Sequence, residues 1–260
     1  MKICSLASGS SGNCYYIGTG ETNILIDAGI SGKRIVAGLE NLGVRGTELD
    51  GIFVTHEHSD HIQSLGVLAR KFNTPLYATG GTWKGMTGKL GKVEADLCQT
   101  LHSKGSLEIG DINLEWFATS HDANEPVGYL VENENKFVGL ATDTGILNKE
   151  MINALVNIDM LILEANHDEE MLFNGRYPQY LKKRIGSSLG HLSNVSAGQA
   201  LVELAGERTK AVFLAHLSQE NNRPGLALKT IGDIITEHKI AGGFELQVAP
   251  RSQASSCIRL

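Results

Sequence analysis

The sequence is short of positive charge and has no long apolar run. Lys and Arg number 23 against 29 Asp and Glu, which gives a formal net charge of −6. Any affinity for nucleic acid must therefore come from a local basic patch. The most apolar stretches are too short to span a bilayer, and the N-terminus lacks the apolar region of a signal peptide. These absences predict a cytoplasmic protein with no membrane contact.

Closely spaced cysteine pairs, proline-rich segments and low-complexity linkers are also missing. The scattered positions of the cysteines argue against a zinc ribbon or a disulfide framework. They are Cys4, Cys14, Cys98 and Cys257. With 42% hydrophobic residues over 260 positions and no linker composition, the sequence predicts a single soluble domain over 1–260 with a substantial core.

Short runs of β-branched and aromatic residues, bounded by turn residues, predict an α/β fold. Helices are expected after Ser31 and from His61 to Lys71. The glycine-rich segment 8–13 lacks the Lys-Ser/Thr of a P-loop, so it predicts a tight loop between strands. The expected strands are 2–5, 14–18, 23–27, 51–54, 76–78, 112–117, 127–132, 136–141, 160–164, 211–215 and 245–248.

A dense histidine segment, Thr55-His-Glu-His-Ser-Asp-His61, directly follows the apolar run 52–54. Imidazole nitrogens and carboxylate oxygens are natural ligands for Zn²⁺, Mn²⁺ or Fe. A solvated polar turn is the alternative, but this density of ligand types favours a cation site. The four candidate ligands in the segment are His56, His58, Asp60 and His61.

Three more candidate ligands, His121, Asp143 and His216, also follow apolar, strand-like runs. In open α/β structures, side chains at the carboxyl ends of strands gather in one crevice. We therefore expect these residues and the histidine segment to converge on one site. Taken singly, His121 or His216 fits a surface or core histidine equally well.

The seven candidates, in this order, resemble the signature of the metallo-β-lactamase superfamily, His-x-His-x-Asp-His followed by a distant His, an Asp and a final His. The resemblance covers nearly the whole chain and implies a four-layer αββα sandwich with two divalent cations. The implied ligands are His56, His58 and His121 for one cation, and Asp60, His61 and His216 for the other. Asp143 is implied to bridge them, as in glyoxalase II and phosphodiesterases and unlike true lactamases, where a Cys is usual.

Four segments, 5–13, 163–168, 190–194 and 216–224, resemble a closer group in this superfamily, the YycJ proteins (also called WalJ or VicX), which are similar to RNase J and tRNase Z nucleases. This resemblance implies a phosphodiesterase or nuclease, and more specifically a 5′-to-3′ exonuclease acting on DNA. A hydrolase of a small thioester or cyclic phosphodiester stays open as an alternative. So does a metal-binding regulatory protein that acts through a partner.

Asp60 and His191 are the candidate catalytic residues. Asp60 can accept a proton from the attacking water in addition to binding metal. His191 resembles the accessory His of tRNase Z-like enzymes and is the candidate donor of a proton to the leaving oxygen. Its segment also predicts a helix N-cap at Ser193 or Asn194, which is compatible because a helix N-terminus favours a bound phosphate. His167 is expected to line the site or to orient a ligand from behind it.

The run 176–184 interleaves positive charge with aromatic rings, so it can bind phosphates and stack bases. A solvated helix face explains the charges equally well. The candidate contacts to DNA or RNA are Tyr177, Tyr180, Lys182, Lys183 and Arg184. Nitrogen and oxygen ligands without sulfur suit Zn or Mn, and Fe is compatible too.

Overall fold

A computed structural model describes residues 1–102, 105–240 and 243–260. Within them the chain forms two compact units. The first comprises Met1–Trp116, Ala123–Val127 and Pro250–Leu260, and the second comprises Phe117–Asp122 and Gly128–Ala249. The single domain expected over 1–260 stays a prediction.

The first unit contains a seven-stranded sheet. Its strands are β1 (Lys2–Ala7), β2 (Cys14–Gly18), β3 (Asn23–Ile26), β4 (Gly51–Phe53), β5 (Leu76–Thr79), β6 (Cys98–Leu101) and β14 (Ile258–Arg259). They lie in the order β14-β1-β2-β3-β4-β5-β6. Pairing is antiparallel from β14 to β3 and parallel from β3 to β6. An antiparallel hairpin of β7 (Gly105–Ile109) and β8 (Ile112–Ala118) follows in the chain.

Four helices accompany these strands. They are α1 (Gly32–Asn41), α2 (Ser59–Ile62), α3 (Leu65–Phe72) and α4 (Gly80–Gly85), and single 3₁₀ turns form at Gly46–Glu48 and Ala95–Leu97. Apolar residues at helical spacing, Ile35 and Leu39 in α1 and Leu65 and Leu68 in α3, are buried in one core cluster with residues of the sheet. Helices α1 and α3 therefore each bury one apolar stripe.

The prediction of one helix from His61 to Lys71 is wrong. The chain leaves the helix after Ile62, and Ser64 instead bonds to an earlier loop: its N donates to Ala28 O at 2.9 Å, and its Oγ donates to Ile30 O at 2.6 Å. These long-range hydrogen bonds replace the helical bonds at the break. As a result, Asp60 and His61 lie on the separate short helix α2.

The second unit contains strands β9 (Val127–Asn133), β10 (Lys136–Ala141), β11 (Met160–Glu164), β12 (Ala211–Ala215) and β13 (Glu245–Val248), adjacent in that order. From β10 to β13 all pairs are parallel, so their carboxyl ends share one edge. The helices are α5 (Lys149–Leu155), α6 (Glu169–Asn174), α7 (Gln179–Ile185), α8 (Asn194–Leu204) and α9 (Pro224–Glu237).

Helix α8 begins where the sequence predicts. Ser193 is its N-cap, and the Ser193 Oγ accepts a hydrogen bond from Ser196 N at 3.1 Å. The apolar faces of α5, α8 and α9 pack in one core cluster with β11 and β12. None of the helices in the described part of the chain combines the length and apolar character needed to span a bilayer.

Candidate metal centre

The predicted histidine segment forms a tight turn after β4. His56 and His61 are buried, whereas His58 and Asp60 are partly exposed. The Nε2 of His56 lies 3.0 Å from Nδ1 of His58, and the Nε2 of His61 lies 3.5 Å from Oδ2 of Asp60. The first unit thus brings all four of its predicted ligands together as two pairs of facing donor atoms.

Asp27, which was not among the predicted site residues, orients this turn through hydrogen bonds to Thr55 and His61. Its Oδ2 accepts hydrogen bonds from His61 Nδ1 at 2.7 Å and from Thr55 Oγ1 at 2.8 Å, and its Oδ1 accepts one from Thr55 N at 2.9 Å. Because the Thr55 hydroxyl donates to Asp27, it accepts from His56 Nδ1 at 3.0 Å. Both histidines therefore keep Nε2 for a metal ion. Burial raises the pKa of Asp27, and the charge of His61 opposes that rise.

The glycine-rich loop holds Asp60 by its backbone. Asn13 N donates to Asp60 O at 2.8 Å, and Asn13 Nδ2 lies 3.1 Å from His61 Nε2. Gly29 passes so close that a Cβ there would lie 1.6 Å from Asp60 O. The loop expected between strands is thus confirmed, and its Asn13 holds the backbone of Asp60 in α2.

In the second unit, polar side chains meet at the carboxyl ends of β10, β11 and β12. Asp143, Glu164, His191 and His216 offer ligand atoms within 4.8 Å of one another. Asp143 and His216 adopt left-handed backbone conformations, with φ of 57° and 55°, and Asp27 does the same at 61°. Such conformations are uncommon outside glycine and concentrate at functional sites.

Glu164 is the central residue of this group, and it too was missed as a site residue. It is fully buried at the end of β11, and its Oε1 accepts hydrogen bonds from Nδ1 of His191 and of His216, each at 2.8 Å. Its Oε2 accepts from Thr144 N and Leu192 N. Burial acts to raise the pKa of Glu164, but His191 and His216 outweigh burial and hold the pKa well below its ordinary value. The ionised carboxylate leaves Nε2 of both histidines for chemistry.

The predicted ligand His121 lies in the loop after β8. Its Nδ1 donates to Gly190 O at 3.0 Å, and its Nε2 lies 3.8 Å from Asp143 Oδ1 and 3.4 Å from Asp122 Oδ1. The second unit therefore brings His121, Asp143 and His216 together, as expected for one cation-binding edge.

His191 and His167 lie beside the predicted ligands of the second unit. The side chain of His191 is 19% exposed, and its Nδ1 lies 3.8 Å from Asp143 Oδ1. His167 is only 3% exposed, and burial lowers its pKa. Both residues line a cavity of about 430 Å³ in the second unit. His191 is thus in reach of both the ligand group and this cavity.

The predicted nucleic-acid contacts lie on or next to α7, a helix without buried residues. Tyr180 is 74% exposed, and Tyr177 is half-buried. Lys182 and Lys183 line the cavity next to His191, whereas Arg184 forms an ion pair with Asp122. The helix therefore presents two lysines towards the cavity and uses its arginine within the unit.

The donor atoms of both groups are imidazole nitrogens and carboxylate oxygens, which fits divalent Zn, Mn or Fe. Within these two groups, five histidines have Nδ1 in contact with a carboxylate, a hydroxyl or a carbonyl oxygen, so each presents Nε2: His56, His61, His121, His191 and His216. This fixed orientation is the usual arrangement behind a metal-binding histidine. The residues therefore fit divalent metal ions.

Sequence comparison supports the same chemistry. The model of the β-lactamase superfamily domain matches residues 22–216. Exodeoxyribonuclease WalJ of Streptococcus pneumoniae is 42% identical over 250 residues, covering 95% of this chain and 93% of that protein. Exodeoxyribonuclease YycJ of Bacillus anthracis is 41% identical over 249 residues, covering 95% and 94%.

Solved structures also match over almost the whole chain, and two of them illustrate the similarity. The metallo-β-lactamase fold protein YhfI of Bacillus subtilis has a TM-score of 0.74 at 18% identity, covering 98% of this chain and 99% of that one. Zn²⁺-bound PqqB of Methylobacterium extorquens has a TM-score of 0.76 at 13% identity, with both chains fully covered. These matches confirm the expected α/β fold class.

Proposed function

This chain belongs to the β-lactamase superfamily, and from that membership we propose that it is an exonuclease that degrades DNA with two divalent cations. The superfamily makes it a metal-dependent hydrolase. The main support for DNA as the substrate is the 41–42% identity of this chain to two exodeoxyribonucleases over 95% of its length. The superfamily model matches residues 22–216, the part of the chain that carries both groups of candidate ligands.

The proposed metal ligands are the seven predicted from the sequence. His56, His58 and His121 would hold one cation, Asp60, His61 and His216 would hold the other, and Asp143 would contribute to both. The hydrogen bonds behind four of the histidines support this assignment. Nδ1 of each histidine contacts a neighbouring oxygen, so its Nε2 is left for a metal ion; the oxygens belong to Asp27, Thr55, Gly190 and Glu164. Zn or Mn is the proposed metal, since the donors are nitrogen and oxygen alone.

Two divalent cations lower the pKa of water and neutralise the oxygens of a phosphodiester during in-line displacement. The protein then has two proton tasks. Asp60, with its carboxylate 23% exposed, accepts the proton of the attacking water. His191 donates a proton from Nε2 to the leaving oxygen, and Glu164 at its Nδ1 stabilises the charged imidazole before that transfer.

Attack runs from the 5′ end towards the 3′ end in this proposal. Water bonds to phosphorus, the bond from phosphorus to the 3′ oxygen of the terminal nucleotide breaks, and that oxygen takes the proton from His191. The remaining strand then carries a new 5′-phosphate. Each cycle thus begins from the same chemical end.

The test is hydrolysis of duplex DNA labelled at either end, with Mn²⁺ or Zn²⁺, by the wild type and by His56→Ala and His191→Ala. Glu203→Gln, on the exposed face of α8, serves as a matched surface control. We expect the 5′ label to be released first, and both histidine variants to lose activity by a factor of about 100 or more, within the range of acid–base catalysis. Equal shortening by wild type and His56→Ala would refute the metal-dependent mechanism, and early release of the 3′ label would reverse the direction.

A further inference from the structure

A cavity of about 430 Å³ in the second unit lies among α6, α7 and the start of α8. Its volume is in the range of small-ligand sites. Its lining includes the basic residues Lys182 and Lys183, the aromatic Phe173, the hydroxyl of Ser196, and both His167 and His191. The cavity therefore combines cations, hydrogen-bond donors and an aromatic ring, which are the groups that bind a nucleotide.

The environment of His167 indicates that this cavity binds a polar ligand. The His167 side chain is buried, with only 3% of the residue exposed. Its Nδ1 has no hydrogen-bond partner among the residues that the structure describes. A buried ring nitrogen without a hydrogen-bond partner destabilises the folded protein, because it has lost its contact with water and gained none in return. An oxygen of a bound ligand supplies the missing partner when Nδ1 carries the proton.

The charge of the cavity favours an anion. Among the residues that line it, Lys182 and Lys183 outnumber the acid Glu169, whose carboxylate accepts a hydrogen bond from Ser193 Oγ at 2.9 Å. Lys182 uses one of its three hydrogens on Phe173 O, at 2.7 Å. The N-terminus of α8, eleven residues long, adds partial positive charge at Ser196. The net field therefore suits a phosphate.

Phe173 supplies an apolar surface at the same cavity. Its side chain is 75% exposed, so the ring is accessible to a bound molecule. Stacking on an aromatic ring tolerates every base, because every base has a π-face. A phosphate and a base can thus be bound side by side without sequence preference.

We propose that this cavity binds the 5′-terminal nucleotide of the strand, with its 5′-phosphate at Lys182, Lys183 and His167. This proposal rests on the proposed exonuclease function. His191 lines the cavity and also lies 3.8 Å from Asp143 Oδ1. It is therefore placed to protonate the 3′ oxygen of a nucleotide in the cavity as that nucleotide departs.

The chemistry of the ends decides which end the cavity takes. Cleavage from the 5′ end leaves a 5′-phosphate on the shortened strand, so the same group is available to the cavity in every cycle. Cleavage of the same bond type from the 3′ end leaves a 3′-hydroxyl, which offers the lysines no terminal phosphate. A terminal phosphate site next to His191 is therefore useful only to 5′-to-3′ degradation.

The test compares duplexes that differ only in a 5′-phosphate or a 5′-hydroxyl, in wild type, in the Lys182→Gln/Lys183→Gln double variant, and in Lys229→Gln as an exposed-lysine control on α9. We expect wild type to prefer the phosphorylated end at least tenfold in kcat/KM for the first cleavage. The double variant loses that preference, and Lys229→Gln keeps it. A ratio near one in wild type, or an unchanged ratio in the double variant, overturns the proposal while leaving the nuclease activity intact.

Calorimetry with thymidine 5′-monophosphate and thymidine 3′-monophosphate provides a readout that needs no turnover. We expect the 5′-monophosphate to bind wild type more tightly, and the double variant to lose about tenfold in affinity for it, consistent with hydrogen bonds to charged groups. Equal affinity of wild type and double variant refutes the cavity site. Absence of DNA shortening with retained lysine-dependent binding refutes the exonuclease and not the cavity.

Discussion

Two buried carboxylates act behind the histidines at the residue scale. Asp27 holds His61 in the first unit, and Glu164 holds both His191 and His216 in the second. Residues that orient a metal-binding histidine typically change metal affinity or activity 10–100-fold when replaced. The effect of these carboxylates should therefore appear at the metal and in the reaction more than in the fold.

Glu164→Gln keeps the shape of the side chain but removes its charge. Because one carboxylate oxygen accepts from two histidines, we expect roughly 10–100-fold weaker binding of Mn²⁺ or Zn²⁺ and a similar loss of DNA hydrolysis. Titration calorimetry with the metal and rates on labelled duplex measure the two effects. Glu203→Gln is the control, and wild-type metal affinity in Glu164→Gln would contradict the assigned role.

Gly29→Ala tests the backbone contact behind Asp60. The added Cβ lies 1.6 Å from Asp60 O, so the loop or α2 must shift. We expect a lower free energy of unfolding by about 1–3 kcal/mol, as for overpacked sites, together with weaker metal binding. Gly20→Ala is the matched control, because no heavy atom lies within 4 Å of its added Cβ. Similar urea midpoints and metal affinities for the two variants would argue against this contact.

At the scale of elements, apolar runs identified the strands that carry the site. β10, β11 and β12 have the predicted bounds because apolar residues dominate each of them, and most or all of their residues are buried. β6 and β7 were missed because they are short and only one of their residues, Leu101, is buried, so neither contains an apolar run. Glu164 was missed for a related reason: a charged residue that ends an apolar strand looks like an ordinary boundary until its buried partners are known.

Asp159, just before β11, ties neighbouring strands by charge. Burial acts to raise its pKa, but Arg208, the Phe137 backbone N–H and Lys136 lower the pKa below its ordinary value. Its Oδ2 accepts from Arg208 Nη2 at 2.9 Å and from Phe137 N at 3.1 Å, and Lys210 lies 3.5 Å from Oδ1. This cluster stabilises the fold in its charged state.

We expect Asp159→Asn to lower the free energy of unfolding at pH 7 by about 1–3 kcal/mol. A carboxyl whose folded pKa is lowered stabilises the fold above its unfolded pKa of about 3.9 and loses that contribution as pH falls through the folded value. The gap between wild type and variant should therefore shrink below about pH 4. Denaturant titrations at pH 7 and pH 3 measure it, with Asp233→Asn, in an exposed pair, as control. A difference in the free energy of unfolding that grows as the pH falls would show that the pKa of Asp159 is not lowered by folding.

At the scale of the whole molecule, net charge and local charge differ. The chain carries −6 overall, yet Lys182, Lys183 and Arg184 are consecutive on α7. Arg184 pairs with Asp122, which leaves two lysines at the cavity. Affinity for DNA should therefore depend on few phosphate contacts.

We expect the logarithm of DNA affinity to fall with the logarithm of salt concentration at a slope of about −2, from two neutralised phosphates. Fluorescence anisotropy of a labelled duplex, in Ca²⁺ to slow turnover, measures the slope. Lys182→Gln/Lys183→Gln should flatten it, and Lys229→Gln should not. A slope steeper than about −5 in wild type would point to a much larger basic surface than α7 provides.

Metal removal tests the proposed ligand set in the intact chain. A cation at a hundredfold excess over its Kd stabilises the folded state by about 2.7 kcal/mol, which corresponds to several degrees in melting temperature. We expect chelation by EDTA to lower the melting temperature and abolish DNA hydrolysis, and Mn²⁺ or Zn²⁺ to restore both. His56→Ala should show a smaller metal-induced rise. Identical melting curves with and without metal in wild type would speak against tightly held cations.

The left-handed backbone at Asp27, Asp143 and His216 affects how a mutational scan of this protein is designed. Alanine at such a position adds a steric penalty of about 1–2 kcal/mol that belongs to the main chain and not to the lost side chain. Glycine adopts the conformation freely, so it is the better reference residue there, and asparagine is the better isostere for the two aspartates. Comparing glycine with alanine at each position then separates the strain of the turn from the chemistry of the group it carries.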